Sequence, residues 1–461
     1  MSQQQLGRRP LRADRTTPPQ PGGTGETARF VGWLGSLGCA AAGYGVFQFL
    51  FGVLPGSLGG EPARYLIAGV SGIGTGVAAW LAAALVRARG AADPARTLVR
   101  VPPAAESPAP GPLPEVFAAA YSTLAAKATV VDDPVRGRLT GWSHSLSESG
   151  PLRPTSVGTA YGLHIVLGLG MPDGRLRTGD LVDTLWRLRL PDGGWSARSQ
   201  GAEARPEVTA LVLGALARAG VSGERLAEEV ERCTDGFTSA RDRAGRESTH
   251  VLTTVLRGLL RAAPDAAVLP PLRDALADGA IGDARREHLR CWGYRLDPPY
   301  GLPSALHTAQ AVVALDRAAG VLGEDEAVRA TREDGVRWLL TCADAPHHRC
   351  QDLRDLREEV RRPRTDDPSR HEVLNVRHFT ASWVVRALMT PGAREVAAQD
   401  GLLEAWRERL DGAAAAVWAG QTDGIWSWGP DSGELRQPLW MTYQGLSALR
   451  AHAVWMYRPE Q

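Results

Sequence analysis

Two long apolar segments stand near the start of the chain. Residues 30–54 and residues 65–86 contain no charged side chain, and each is longer than the about 20 apolar residues that a helix needs to cross a membrane. Residues 55–64 between them are rich in Gly and Pro. A cleaved signal peptide explains the pattern poorly, because its apolar region is shorter and no second one follows at once. The pattern predicts a transmembrane hairpin within residues 30–88.

Arginines flank both spans and predict their orientation. The segment between the spans carries one Arg and one Glu. Because arginine-rich flanks stay in the cytoplasm, we expect a two-span protein of the inner (cytoplasmic) membrane with both termini in the cytoplasm. The lipid bilayer is then its first partner. The flanking arginines are Arg8, Arg9, Arg12, Arg15 and Arg29 before the first span, and Arg87, Arg89, Arg96 and Arg100 after the second.

The segments around the hairpin differ in composition from the rest of the chain. Residues 1–29 are polar and rich in Gln, Pro and Gly, which is typical of a disordered arm. Residues 89–112 are rich in Pro and Ala and are interpreted as a semi-extended linker. A globular domain is therefore expected over residues 113–461.

The hydrophobic pattern of that domain repeats. Six mostly apolar segments with helical spacing begin at a threonine, and these are Thr159, Thr209, Thr249, Thr308, Thr380 and Thr442. An amphipathic segment precedes each of them, at residues 114–128, 181–190, 223–233, 267–278, 326–342 and 401–419. Six helix pairs of this kind are typical of a repeat architecture in which no pair buries its apolar face alone.

The two helices of each pair differ in polarity. The Thr-led helices are apolar nearly all round, as in residues 208–216, and we expect them on the inside. Their partners carry more charge, as in residues 223–233, and should face outward. The sequence thus predicts an all-α domain with six inner and six outer helices.

Two segments resemble a known repeat. PDGGWSARSQGAEARPEVTALVLGALARAG (residues 191–220) and DGIWSWGPDSGELRQPLWMTYQGLSAL (residues 423–449) are similar to the repeat of squalene cyclases and protein prenyltransferases, and residues 291–315 and 141–167 are weaker copies. The resemblance implies an α/α toroid of about six helix pairs over residues 113–461. It implies no particular activity, because this toroid also serves proteins that are not enzymes.

Charge and cysteine content narrow the classes of function. Lys+Arg number 52 and Asp+Glu 51, so the chain lacks the basic excess of a nucleic-acid-binding protein and no nucleic-acid partner is expected. Five cysteines in 461 residues are too few and scattered for a disulfide framework, and a reducing compartment is the simpler interpretation. Neither GxSxG nor HExxH occurs, so these motifs of hydrolases are missing.

The resemblance also directs attention to candidate catalytic acids. In cyclases of this family that protonate a double bond, the acid belongs to an Asp-x-Asp-Asp segment, two residues before the Thr. This chain has no such segment, and the titratable residues at the equivalent positions are Glu207, Glu247 and His378. A lone Glu is a poor acid for an alkene. The favoured interpretation of Glu207 and Glu247 is that they are first-turn acids, which complement the dipole of a helix N-terminus.

Helix N-termini and aromatic side chains predict where a ligand binds. Six parallel inner helices would direct their partial positive charges to the Thr-led end of the ring, which favours anionic or electron-rich groups there. The predicted pocket residues at this end are Tyr161, His307, Trp383, Trp440 and Tyr443. The tryptophans of the repeat turns are instead expected to clamp one repeat to the next, and these are Trp142, Trp195, Trp292 and Trp426.

Cys342, His347, His348 and Cys350 form a dense group of metal-ligand types. Two Cys and two His can bind zinc tetrahedrally, so zinc is a candidate cofactor. The spacing is not that of a standard zinc finger, and residues 351–372 are strongly polar. A solvated loop is therefore the favoured interpretation of this insertion, with a lid or a partner surface as alternatives.

Three functions fit the sequence. The first is a membrane-anchored toroid without the usual catalytic acids, which binds or scaffolds an apolar ligand, either isoprenoid-like or a peptide. The second is a membrane-bound enzyme of the terpenoid cyclase or prenyltransferase type with a noncanonical acid. The third is a structural subunit that contacts a protein partner through its surface, and it requires a ring filled with side chains.

The arginine flanks lead to a prediction about topology. Reporter fusions at residue 5 and residue 461 should report the cytoplasm, and a fusion at Ser57 should report the outside. A C-terminal fusion that reports the outside would exclude the hairpin.

Overall fold

The computed structural model describes residues 113–147, 152–170, 174–197, 203–239, 243–296, 302–341, 353, 356–363, 367, 369–428 and 436–456. The predicted transmembrane hairpin and the group from Cys342 to Cys350 lie outside these residues. Among the helices that are described, none is long and apolar enough to cross a membrane.

Helices dominate the domain, and short strand pairs connect some of them. The first half contains α1 (Leu113–Lys127), β1 (Thr129–Asp133), β2 (Gly137–Gly141), α2 (Ser156–Leu169), α3 (Thr178–Arg187), α4 (Pro206–Arg218), α5 (Glu224–Thr238), α6 (Arg243–Arg246), α7 (Thr249–Ala262) and α8 (Leu269–Asp278). The second half contains β3 (Ile281–Gly282), β4 (Arg290–Cys291), α9 (Ala305–Leu322), α10 (Glu326–Thr341), β5 (Leu356–Pro363), β6 (His371–His378), α11 (Thr380–Leu388), α12 (Pro391–Gln399), α13 (Leu403–Ala419), β7 (Gln421–Thr422), β8 (Ile425–Trp426) and α14 (Leu439–Met456). The predicted all-α class is confirmed for these residues.

The six Thr-led helices contact one another in a closed cycle. Along the chain α2 packs on α4, α4 on α7, α7 on α9, α9 on α11 and α11 on α14, and α14 packs back on α2. The six predicted outer helices are present as α1, α3, α5, α8, α10 and α13, and each contacts one or two members of this cycle. We call the six helices of the cycle the ring.

Burial follows the predicted difference in polarity. In α9 every residue from Ala305 to Leu315 is buried, as expected for a helix covered on all sides. In α5 the buried residues recur every three or four positions, at Leu226, Glu229, Val230, Cys233 and Phe237. One stripe of α5 therefore packs on the ring while its other side faces solvent.

Four turn tryptophans each link an outer helix to the ring helix that follows it. The indole N–H of Trp195 donates to the carbonyl of Leu185 in the last turn of α3, over 2.7 Å. Its backbone N–H donates to the hydroxyl of Thr209 in α4 over 3.0 Å, and its carbonyl accepts from the N–H of Arg205, the N-cap of α4. Trp142, Trp292 and Trp426 repeat the indole bond, to Leu124, Leu276 and Val417. The prediction of a structural role is confirmed at all four tryptophans, but these bonds join the two helices of one pair and not one repeat to the next.

Two parts of the domain depart from the sequence prediction. Residues 356–363 and 371–378 pair as an antiparallel hairpin, so the interpretation of residues 351–372 as a plain loop was wrong for these strands. The ladder runs from Leu356 opposite His378 to Pro363 opposite His371. An additional helix, α12, lies between α11 and α13 and begins at Pro391, which fits the first turn of a helix.

Two glycines allow α4 and α7 to approach closely. A Cβ atom on Gly258 would lie 2.3 Å from the backbone oxygen of Ala210, and one on Gly214 would lie 3.4 Å from the Cα atom of Gly258. The backbones of the two helices are therefore in direct contact, and Gly258 has no room for a larger residue without movement of a helix.

This contact predicts opposite effects for two Gly→Ala substitutions. Gly258→Ala should lower the free energy of unfolding by about 1–3 kcal/mol, since the methyl group overlaps backbone. Gly236→Ala in α5, where a Cβ atom meets nothing within 4 Å, should raise it by up to about 1 kcal/mol, because alanine favours helix. Urea unfolding of both variants tests this, and equal effects would contradict the close approach.

Candidate functional site

A cavity of about 670 Å³ lies between the C-terminal halves of the ring helices. Each helix contributes to its wall, with Gly168 from α2, Arg218 from α4, Arg261 from α7, Arg317 from α9 and Arg386 from α11. From α14 come Tyr443, Leu446 and Arg450. Because C-terminal halves from all six helices meet here, the helices of the ring run in the same direction. This cavity is at the opposite end from the Thr-led end, where the dipole argument had placed a ligand.

The wall of the cavity is strongly basic. Its arginines are Arg218, Arg261, Arg317, Arg386, Arg394 and Arg450, and its one carboxylate among the lining residues is Asp316. Burial raises the pKa of Asp316. The formal surplus is five positive charges.

Helix dipoles offset part of this surplus. Each helix C-terminus carries about half a negative charge, so six of them contribute at most about −3. At least about two positive charges remain unbalanced in a partly enclosed space. The arginines therefore exceed what is needed to complement the helix ends.

Two of these arginines donate hydrogen bonds to backbone carbonyls in the described part of the chain. Arg218 donates to the carbonyl of His164 over 3.0 Å, and Arg450 donates to the carbonyl of Gly168 over 2.6 Å. The Nη1 atom of Arg386 is buried without a hydrogen-bond partner in the described part of the chain. Its guanidinium stacks on the ring of Trp383, with 4.1 Å between the guanidinium carbon and the ring centroid. An arginine held this way can receive an anionic group from a ligand.

Apolar side chains cover the rest of the wall. They include Phe117 from α1 and Leu388 from α11, and also Met389 and Pro391 from the residues just after α11. A cavity of this size with both apolar and cationic walls is suited to a ligand that has an apolar part and an anionic group.

Two tyrosines beside the arginines have pKa values that differ strongly. Burial raises the pKa of Tyr161 to about 12. Burial would also raise the pKa of Tyr443, but attraction to Arg386, Arg317 and Arg257 outweighs it and lowers the pKa to about 8. The two ring centroids are 5.4 Å apart. His164, whose ring centroid is 5.3 Å from that of Tyr443, has a pKa well below its usual value because it is buried.

Three of the predicted pocket residues reach this region. Tyr443 lines the large cavity, and Tyr443, Tyr161 and Trp383 line a smaller one next to it. Trp440 is buried in the first turn of α14, and His307 is buried near the start of α9. These last two residues do not line either cavity.

The predicted catalytic residues lie at the Thr-led end. Glu207 is buried in the first turn of α4, as expected for an acid that complements the helix dipole. Glu247 precedes Ser248, the N-cap of α7, and forms an ion pair with Arg295. The first-turn interpretation was therefore wrong for Glu247, because its position outside the helix turns it toward this arginine.

His378 packs with two other histidines at the Thr-led end. Its ring centroid is 4.6 Å from that of His250 and 6.1 Å from that of His307. The side chain of Gln310 lies 3.5 Å from its Nδ1 atom. No group of three His, Cys, Asp or Glu side chains within the described ranges could hold a metal ion. The candidate zinc ligands Cys342, His347, His348 and Cys350 lie outside those ranges, so zinc there stays the alternative to the favoured solvated loop.

The arginines were not predicted from the sequence, although they leave a signal in it. Four arginines follow the repeat threonine by eight or nine residues, at Arg218, Arg257, Arg317 and Arg450. Two and a half helical turns separate the Thr and the Arg. An arginine recurring at one height of four inner helices predicts a basic level within the ring, and that pattern could have been recognised.

Comparison with known protein families and with characterised proteins gave no match to this chain.

The lowered pKa of Tyr443 predicts a titration. Between pH 8 and pH 10 the folded protein should contain one ionised tyrosine that disappears in Tyr443→Phe, as measured by tyrosinate absorbance. An unfolded tyrosine ionises near pH 10, so the folded state binds fewer protons in this window. The stability of the wild type relative to Tyr443→Phe should therefore rise with pH from 8 to 10.

The arginines provide the control for this titration. Arg386→Met removes a nearby positive charge and should move the pKa of Tyr443 back toward its usual value. If no tyrosine ionises below pH 10 in the wild type, the arginines do not act on Tyr443 as described.

Proposed function

We propose that the domain is an α/α toroid of six helix pairs and acts as a binding module for an amphiphilic anion. The closed cycle of contacts among the ring helices supports the toroid. The basic wall of the large cavity carries the proposal for the ligand. This proposal changes the expected ligand from an apolar molecule to one with an anionic head and an apolar part.

The charge of the wall indicates the class of ligand. The unbalanced charge of about two is matched by a phosphate monoester, which carries about −1.5 to −2 at neutral pH. Its phosphate oxygens accept hydrogen bonds from guanidinium groups such as that of Arg386. Its alkyl chain would lie against Phe117, Leu388 and Met389. A lipid phosphate of this kind also suits a protein whose sequence predicts a membrane anchor.

The open cavity bears on the alternative functions. A purely structural subunit was expected to have a ring filled with side chains, and a volume of about 670 Å³ argues against it. An enzyme is the second candidate. The observation that favours it is the pair of Tyr161 and Tyr443, because adjacent groups with pKa values driven apart can serve as acid and base.

Binding of decyl phosphate to the purified full chain tests the proposal. Decyl phosphate should bind more tightly than either inorganic phosphate or decanol, as measured by isothermal calorimetry. Arg386→Met and Arg317→Met should each weaken binding about tenfold or more, because each removes a charge-assisted contact.

A matched control separates the cavity from the general charge of the protein. Arg407→Met removes an exposed arginine from the outer helix α13, and binding should be unchanged. Equal binding of decyl phosphate and decanol, or equal losses in all three variants, would contradict the proposal. If the wild type converts decyl phosphate into a new product and Tyr443→Phe does not, the result would instead favour the enzyme.

A further inference from the structure

A second cavity lies at the centre of the ring, deeper than the first. Its volume is about 40 Å³, and all six ring helices contribute to its wall. It shares His164, Arg261, Arg317 and Tyr443 with the large cavity, so the two are neighbours. We call it the inner chamber. It is too small for the alkyl phosphate considered above, but it exceeds the about 10–15 Å³ that one water-sized particle needs.

Hydrogen-bond donors dominate the wall of the inner chamber. Three arginines line it, at Arg257, Arg261 and Arg317, and the described residues of its wall include no carboxylate. The indole N–H of Trp383 is buried without a partner in the described part of the chain, and the side chain of Trp383 is only 2% exposed. The buried hydroxyl of Thr254 likewise has no hydrogen-bond partner among the residues described.

Trp383 and two arginines form a stack at this chamber. The guanidinium carbon of Arg257 lies 4.5 Å from the centroid of the Trp383 ring, and that of Arg386 lies 4.1 Å from it. The Nε atom of Arg257 donates to the carbonyl of Thr253 over 3.0 Å, which fixes the orientation of the guanidinium. Two positive charges are thus held on one indole, and the described residues that line the chamber beside Arg257 include no carboxylate. Such an arrangement needs a negative charge nearby.

We infer that the inner chamber is a binding site for a small inorganic anion of the size of chloride, held by Trp383, Thr254 and the arginines of its wall. The indole N–H and the hydroxyl donate to the anion, and Arg257 supplies the compensating charge. A water molecule fits this site less well, because it must also donate hydrogen bonds and would leave the arginines unbalanced. The anion is distinct from the ligand of the large cavity and would remain in the ring when that ligand leaves.

Thermal unfolding of the full chain in different sodium salts tests this inference. At constant ionic strength, replacing gluconate by chloride or bromide should raise the Tm in a saturable way, since a ligand that binds only the folded state stabilises it. Gluconate is too large for a chamber of about 40 Å³ and serves as the reference anion.

Two variants and one control locate the site. Trp383→Phe keeps an aromatic ring for both arginines and removes only the N–H group, and it should weaken chloride binding about tenfold. Arg257→Met should abolish the chloride dependence of the Tm. Arg394→Met, which lines only the large cavity, should leave it unchanged.

The outcomes separate this inference from the proposed function. Equal stabilisation by gluconate and chloride, or unchanged chloride affinity in Trp383→Phe and Arg257→Met, would overturn the anion site. If these variants fail to fold, the linewidth of the chloride NMR signal in the presence of the wild type is decisive. Exchange of chloride between the binding site and solvent broadens the signal, and added bromide should narrow it again by displacing the bound chloride. Loss of decyl phosphate binding with intact chloride binding would contradict the proposed function alone.

Discussion

The hydrogen bonds of the turn tryptophans set the geometry on which the rest of the domain depends. Through Trp195, for example, the end of α3 and the start of α4 are fixed to one another by three hydrogen bonds within buried surroundings. Because Trp142, Trp292 and Trp426 make the same indole bond, the connected ring helices start at similar heights. Because the ring helices start at similar heights, their C-terminal halves lie at similar heights as well. Side chains from distant repeats therefore line one cavity.

Opposed electrostatic effects act on the arginines that line the large cavity. Helix C-termini attract them, whereas burial, and to a smaller extent repulsion by Arg317 and Arg261, lower the pKa of Arg386 to about 10. A guanidinium with that pKa remains charged at neutral pH, so the repulsion is not relieved by loss of a proton. The positive charge of the arginines also acts on Tyr443, because its hydroxyl ionises more readily than that of an ordinary tyrosine. Ring formation thus concentrates positive charge that Asp316, the carboxylate among the described lining residues, offsets only in part.

The sequence could predict the helices and their polarity, because burial on one side or on all sides leaves a periodic pattern, as in α5 and α9. The threonines and turn tryptophans could also be recognised, since each acts within its own repeat. The cavity could not be located this way, because the side of each ring helix that faces the centre depends on packing between repeats. Glu247 shows the same limit: its partner Arg295 is 48 residues away and belongs to the next turn.

Noncovalent contacts join the last helix of the ring, α14, to the first, α2. Arg450 in α14 donates to Gly168 in α2, and Gln437 donates to the hydroxyl of Ser145, so these contacts span more than 280 residues of chain. Contacts so distant in sequence form slowly, since the entropy of the intervening chain must be lost first. The other contacts of the ring can develop from one repeat to the next, as in solenoid proteins. Closure between α14 and α2 is therefore the step at which a linear stack of helix pairs becomes a single cooperative unit, and it determines when the protein acquires its interior.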